Sequence, residues 1–146
     1  MADYIPPKLD WVRKQVDEYE GSGGTRGTTL LDTGLPCIIV THVGNKTGGI
    51  RKIPLMRVKV DSGYVLIGSM GGQPNNPVWV YNLRANPDVE IRDATEVFKM
   101  RAREVTDDQE RERLWEASAN AYPPYNDYQK SATTRTIPVV VLDPVK

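Results

Sequence analysis

The chain has 146 residues, 39% of them hydrophobic and 26% charged, the size and balance of one globular domain that can bury its own core. Its 19 basic residues are matched by 19 acidic ones, which argues against a nucleic-acid binder, and one Cys with one His excludes a disulfide framework and a zinc site built from those residues. No apolar stretch approaches the ~20 residues of a membrane span or makes a signal core, so the chain reads as intracellular, in a reducing compartment.

The first periodic segment is residues 8–20. Leu9, Val12, Val16 and Tyr19 recur at three- or four-residue steps and share one helical face, with Trp11 beside the stripe. Pro6 and Pro7 precede it, and Gly21-Ser22-Gly23-Gly24 ends it. The segment reads either as a helix packed on the domain or as a cover over a pocket or membrane surface. Residues 1–24 are therefore an N-terminal amphipathic helix with a Gly-Ser hinge, and residues 25–146 the main domain.

From Thr28 the period changes to two. Residues 28–31, 37–43, 53–60 and 64–70 read as strands, with Asp61-Ser62-Gly63 as a hairpin turn. Residues 77–85 form a short helix that Pro77 opens and Asn86-Pro87 stops. Residues 88–92 and 96–105 make a second hairpin. A second helix opens at Thr106 with Gln109 three residues on, a capping-box pattern, and turns Leu114, Trp115 and Ser118 inward. Residues 137–142 are a continuous apolar run, the length of a buried strand. Strands in hairpin pairs with few helices between them predict a mainly β, α+β domain: an antiparallel barrel with flanking helices.

Three loops could carry chemistry. Gly44-Asn45-Lys46-Thr47-Gly48-Gly49-Ile50-Arg51-Lys52 combines close backbone approach with cations, as a phosphate cradle needs, or is an ordinary solvated hairpin. Gly68-Ser69-Met70-Gly71-Gly72 leads into Asn76-Pro77-Val78-Trp79 and offers backbone donors at a helix start, or is a turn whose Trp79 is core. Tyr122-Pro123-Pro124-Tyr125-Asn126-Asp127-Tyr128 places three tyrosines three apart in a segment whose prolines prevent a helix running through it; they line a pocket or pack a connector. His42 reads as structural and Cys37 as an inert core thiol.

In order along the chain, Gly44-Asn45-Lys46-Thr47-Gly48 with Arg51, Gly68-Ser69-Met70-Gly71-Gly72, Asn76-Pro77-Val78-Trp79-Val80-Tyr81-Asn82-Leu83-Arg84-Ala85-Asn86-Pro87, the tyrosine segment, and Arg135-Thr136-Ile137-Pro138 resemble the deazaflavin (coenzyme F-420)-dependent nitroreductase family. The resemblance implies a split β-barrel, FMN-binding-like, and the reduced 8-hydroxy-5-deazaflavin coenzyme F-420 of actinobacteria and methanogens. It assigns the cofactor's anionic tail to Asn45, Lys46, Thr47, Arg51, Lys52, Ile53, Pro54, Leu55, Met56 and Arg57. It assigns the ring to Ile67, Gly68, Ser69, Met70, Val78, Trp79 and Asn82, with Tyr125 closing the site, and counts Val80 and Tyr81 among the cofactor-binding residues. Asn45 and Met70 stand where the family often has Arg and Lys, which removes two cations.

The activity so implied is hydride transfer to a small hydrophobic acceptor: a quinone, an enone or a nitro-heteroaromatic ring. Tyr122, Tyr128 and Trp11 would wall the substrate pocket, and Tyr125 or Ser69 would donate a proton or hydrogen bond to the developing oxyanion. No metal and no nucleic acid is implied. The rival readings are an FMN-dependent split-barrel oxidoreductase and a non-catalytic deazaflavin carrier. A cytoplasmic monomer is favoured, with transient contact at the inner membrane face through the N-terminal helix.

Overall fold

The longest apolar runs of the chain become strands buried on both faces. The computed structural model describes residues 3–30, 33–133 and 135–145. Among them the strands are β1 (Cys37–Val43), β2 (Ile50–Met56), β3 (Lys59–Val60), β4 (Gly63–Ile67), β5 (Asp88–Asp93), β6 (Glu96–Glu104) and β7 (Val139–Pro144). The helices are α1 (Asp10–Gly21), α2 (Val78–Ala85), α3 (Asp108–Ala121) and α4 (Pro124–Ser131).

These strands pair antiparallel throughout, in the order β2-β1-β5-β6-β7-β4-β3. The two edge strands, β2 and β3, are consecutive in the chain, with only Arg57 and Val58 between them. Three Cα steps span no more than about 11 Å. The sheet therefore has to curl until its opposite edges almost meet, and connectivity alone makes it a half-barrel.

Side-chain alternation sorts the strands between separate cores. On β1, Ile38 and Val40 pack with Trp79, Val80 and Leu83 of α2, whereas Cys37 and Ile39 pack beneath Val12, Val16 and Tyr19 of α1. On β4 and β7, Leu66, Val140 and Leu142 face the α2 side; Val65, Ile67, Val139 and Val141 face Leu114 of α3 and Tyr125 of α4. Two covered faces explain why these strands read as unbroken apolar runs. Each Val, Ile or Leu so buried contributes ~1.5–3 kcal/mol relative to exposure.

Several expected elements shift. Residues 28–31 make only an isolated bridge, Thr29 to Pro36, and Leu31 lies outside the described residues. The strand expected over 53–60 starts earlier and breaks at Arg57, whose N–H bonds Pro36 instead of the ladder. The strand expected over 64–70 ends at Ile67, and Met70–Gly72 is a 3-10 turn with Met70 left-handed at φ 48°. The cap of α3 lies one residue later than Thr106: the Asp107 carboxylate accepts from the Glu110 N–H at 2.8 Å. The prolines of the tyrosine segment start a helix rather than preclude one, because Pro124 occupies a first-turn position where no N–H is needed.

The N-terminal helix is tied into the sheet. The Tyr19 hydroxyl donates to the Cys37 carbonyl at 3.0 Å and accepts from the Ala94 N–H at 2.7 Å. Glu20 pairs with Lys52 of β2 and with Arg92 of β5. At Gly24, φ is 87° and a Cβ would overlap the Ala94 carbonyl, so the glycine is required by close packing as well as by conformation.

Candidate functional site: a cleft with a cationic and an aromatic end

The β1–β2 loop is a closed cage. The Gly44 N–H donates to Gly49 O at 2.8 Å, the Gly48 N–H to Gly44 O at 2.9 Å, and the Gly49 N–H to the Thr47 hydroxyl at 3.2 Å. The buried Asn82 side chain reaches across from α2 and accepts the Asn45 N–H at 2.8 Å. The loop is thus fixed to the helix that forms the opposite wall.

Between loop and helix lies a cavity of about 730 Å³, lined by Gly44, Asn45, Lys46, Thr47, Arg51, Lys52, Tyr81 and Asn82 among others. Four cations line it, Lys8, Lys46, Arg51 and Lys52, and no carboxylate does. Lys52 is already paired with Glu20. Among the described residues, Lys8, Lys46 and Arg51 have no carboxylate partner within 4.0 Å.

A second cavity of about 580 Å³ adjoins the first and shares Pro7, Lys8, Val12, Ile53, Val78 and Trp79 with it. Leu9, Trp11, Leu30, Pro54, Leu55, Met56, Ile67, Ser69, Met70, Pro77 and the three tyrosines complete its lining. Leu9, Trp11, Met70 and Val78 are exposed around it.

Tyr125 on α4 is the buried member of the aromatic set, with ring centroids 5.0 Å from Tyr122, 6.3 Å from Tyr128 and 6.4 Å from Trp115. Tyr122 and Tyr128 hydrogen-bond each other through their hydroxyls at 3.0 Å. Among the described residues the Tyr125 and Ser69 hydroxyls have no protein partner, yet neither is a sealed, unsatisfied group, and both residues line the cavity. Burial first, then the neighbouring Tyr122 and Tyr128, push the Tyr125 hydroxyl well above the ordinary tyrosine range. It stays protonated at neutral pH and can serve as a donor.

Ser69 is held by a residue far along the chain. The Arg135 guanidinium donates to Gly68 O at 3.1 Å, Ser69 O at 2.8 Å, the Asn76 side chain at 2.7 Å and Gln73 O at 3.0 Å. Gln129 of α4 fixes the segment that carries Arg135, donating to Arg135 O at 3.1 Å and accepting from the Ile137 N–H at 2.9 Å. One arginine therefore locks the loop after β4 against the helix that bears Tyr125.

The cleft brings together all the sequence-derived site residues except Arg57, Gly68 and Val80. Arg57 instead makes a two-oxygen contact with Asp93, both at 2.9 Å. Val80 belongs to the core beneath α2, and Gly68 lies behind the wall with its N–H on Pro138 O. Lining residues that sequence reasoning missed include Ile5, Pro7, Lys8 and Leu30. Arg135 was visible only as part of a motif.

A carboxylate-free cationic end on a rigid loop suits an anionic tail; an apolar end with two Trp, three Tyr and two hydroxyls that lack a protein partner among the described residues suits a ring system. The comparisons agree. The family profile described as F420H(2)-dependent quinone reductase matches residues 11–144. The F420H(2)-dependent quinone reductase Rv1261c of Mycobacterium tuberculosis (strain H37Rv) is 38% identical over 127 residues, covering 85% of this chain and 83% of that protein. A solved structure described as F420-H2 Dependent Reductase (FDR-A) superposes with a TM-score of 0.69 at 40% identity, over 79% of this chain and 98% of that one. Another, described as a domain-swapped dimer, gives 0.71 at 39% identity over 92% and 98%. Residues from α1 to β7 thus carry one shared pattern on one split-barrel scaffold, and the chain belongs to the F420H(2)-dependent quinone reductase family.

Proposed function

We propose that the two adjoining cavities hold reduced coenzyme F-420 and its acceptor, with Lys46, Arg51 and the 44–49 loop holding the anionic tail. As a member of its family the protein is an oxidoreductase that uses reduced F-420 as its hydride source and a quinone as acceptor. When bound, the reduced deazaflavin supplies a transferable hydride at its C5 carbon, and the protein supplies binding, orientation and exclusion of water.

The residues divide that work. Ile67, Ser69 and Met70 on one side and Val78 with Trp79 on the other form the walls proposed for the ring. Tyr122, Tyr128 and Trp11 form the wall proposed for the acceptor. Tyr125 lines the cavity and keeps the proton on its hydroxyl, and in this reading it hydrogen-bonds an acceptor oxygen that gains negative charge. Ser69 is the second donor in reach of the same space.

The observation that carries this reading is the join itself: a cationic cavity without carboxylates continuous with an apolar one bearing two free hydroxyls. The exposed Leu9, Trp11, Met70 and Val78 around the apolar cavity support transient contact of a cytoplasmic protein with lipid. The test is parallel titration with reduced F-420 and FMN, followed by turnover with a soluble quinone. Tighter F-420 binding with quinone reduction is expected. FMN binding alone overturns the cofactor, and F-420 binding without turnover makes the protein a carrier.

A further inference from the structure

We propose that residues 3–8 are a strap that lays Lys8 across the waist of the cleft as a cofactor-binding cation, and that Gly49 is what lets the strap dock. The strap pairs with the outer edge of β2, which β1 leaves unpaired. The Ile5 N–H donates to Ile50 O and the Ile50 N–H to Asp3 O, both at 2.8 Å, with a parallel bridge between Tyr4 and Ile50. Covering an edge strand in this way satisfies its backbone groups.

Close approach is the condition for this pairing. A Cβ at Gly49 would overlap the Ile5 side chain and come within 3.2 Å of Asp3 O. Gly49 does not have a positive φ, so the requirement is space rather than backbone freedom. Beyond Ile5, Pro6 and Pro7 hold the chain extended, and the Pro7 carbonyl accepts from Arg13 of α1 at 3.4 Å. The strap is thereby fixed at both ends, by β2 and by α1.

Lys8 follows at the point where the cationic and aromatic cavities meet, and lines both. It has no carboxylate partner among the described residues, whereas Lys52, on the same cavity, already shares Glu20 with Arg92. An anion in the cleft therefore meets Lys8 from the strap and Lys46 from the loop.

This inference rests on the cofactor occupying the cleft, so the experiment separates the two. Calorimetric titration of the full chain with oxidised F-420 at low and high salt is run on wild type, Lys46→Ala, Lys8→Gln, Gly49→Ala and Ile5→Ala/Gly49→Ala, with thermal unfolding to verify folding. Lys8→Gln is expected to weaken binding about three- to tenfold at low salt, with the difference shrinking as salt rises. Gly49→Ala is expected to weaken it by a similar factor, and the added Ile5→Ala to restore most of the loss by making room for the new methyl. If Lys46→Ala binds like wild type, the site reading fails and the strap with it. If Lys46→Ala is weakened while Lys8→Gln is not, or if the double variant is no better than Gly49→Ala, the strap proposal alone is overturned.

Discussion

The two ends of the cleft are built in opposite ways. The cationic end is a short contiguous loop, held by its own backbone bonds and by one contact to α2, with Lys46 exposed. The aromatic end is assembled from α1, β2, β4, α2 and α4 and depends on Tyr125 being buried among other rings. The difference teaches where each kind of binding energy originates. On the proposed reading, an exposed loop cation attracts a charged tail before and during reaction alike, whereas a packed hydroxyl without a protein partner among the described residues acts on charge that develops only in the transition state.

That contrast is broken most directly at Tyr125. Tyr125→Phe keeps the ring and its packing and removes the hydroxyl. We expect kcat with a quinone to fall about 10²-fold, with F-420 affinity nearly intact. Undiminished kcat, where a hydride isotope effect shows chemistry to be rate-limiting, would pass the donor role to Ser69 or solvent. Lys46→Ala should do the reverse: affinity for F-420 falls roughly ten- to a hundredfold while kcat at saturation is little changed. A matching loss in kcat would mean the two ends are not separable.

Arg135 tests whether the ends are mechanically joined. Arg135→Lys keeps the charge but cannot reach the Gly68 and Ser69 carbonyls, Asn76 and Gln73 together. Leaving a buried carbonyl unpaired costs about 1–3 kcal/mol, so chemical denaturation should show a loss of that order. A several-fold fall in kcat should accompany it, because the loop carrying Ser69 loosens. Wild-type kcat in a destabilised variant would reduce Arg135 to a stability role.

The smallest effect concerns His42, under the cationic end. Burial lowers its pKa from 6.5, the Val40 carbonyl opposes this, and Arg51 adds to the lowering. The unfolded chain therefore takes up the proton more readily, so the stability contributed by neutral His42 is present above pH 6.5 and is lost as pH falls through 6.5 toward the folded value. Denaturation midpoints at pH 7.5 and 5.5 should diverge more for wild type than for His42→Gln; equal shifts would rule out this linkage.

How much of this the sequence revealed depended on distance along the chain. The 44–52 loop and the three-residue tyrosine spacing were legible because the chemistry is local. The helical state of the tyrosines was missed because Pro124 was read as a breaker when it stood in a first turn. The fates of Lys52 and Arg57 were invisible, since each pairs with an acid 32 or 36 residues away. Arg135 is 59 to 67 residues from the acceptors that define it, and no periodicity reports such a contact.

Cys37 gives the molecule an internal clock. It is the sole thiol, buried under α1, with burial pushing its pKa up to about 12. Attack on a disulfide reagent needs a solvated thiolate, so the folded chain should react only when α1 lifts from β1. The rate of labelling against denaturant then separates partial opening, nearly flat, from global unfolding, steeply dependent. The residue least suited to chemistry in the cell becomes the one that counts how often the N-terminal helix lets go.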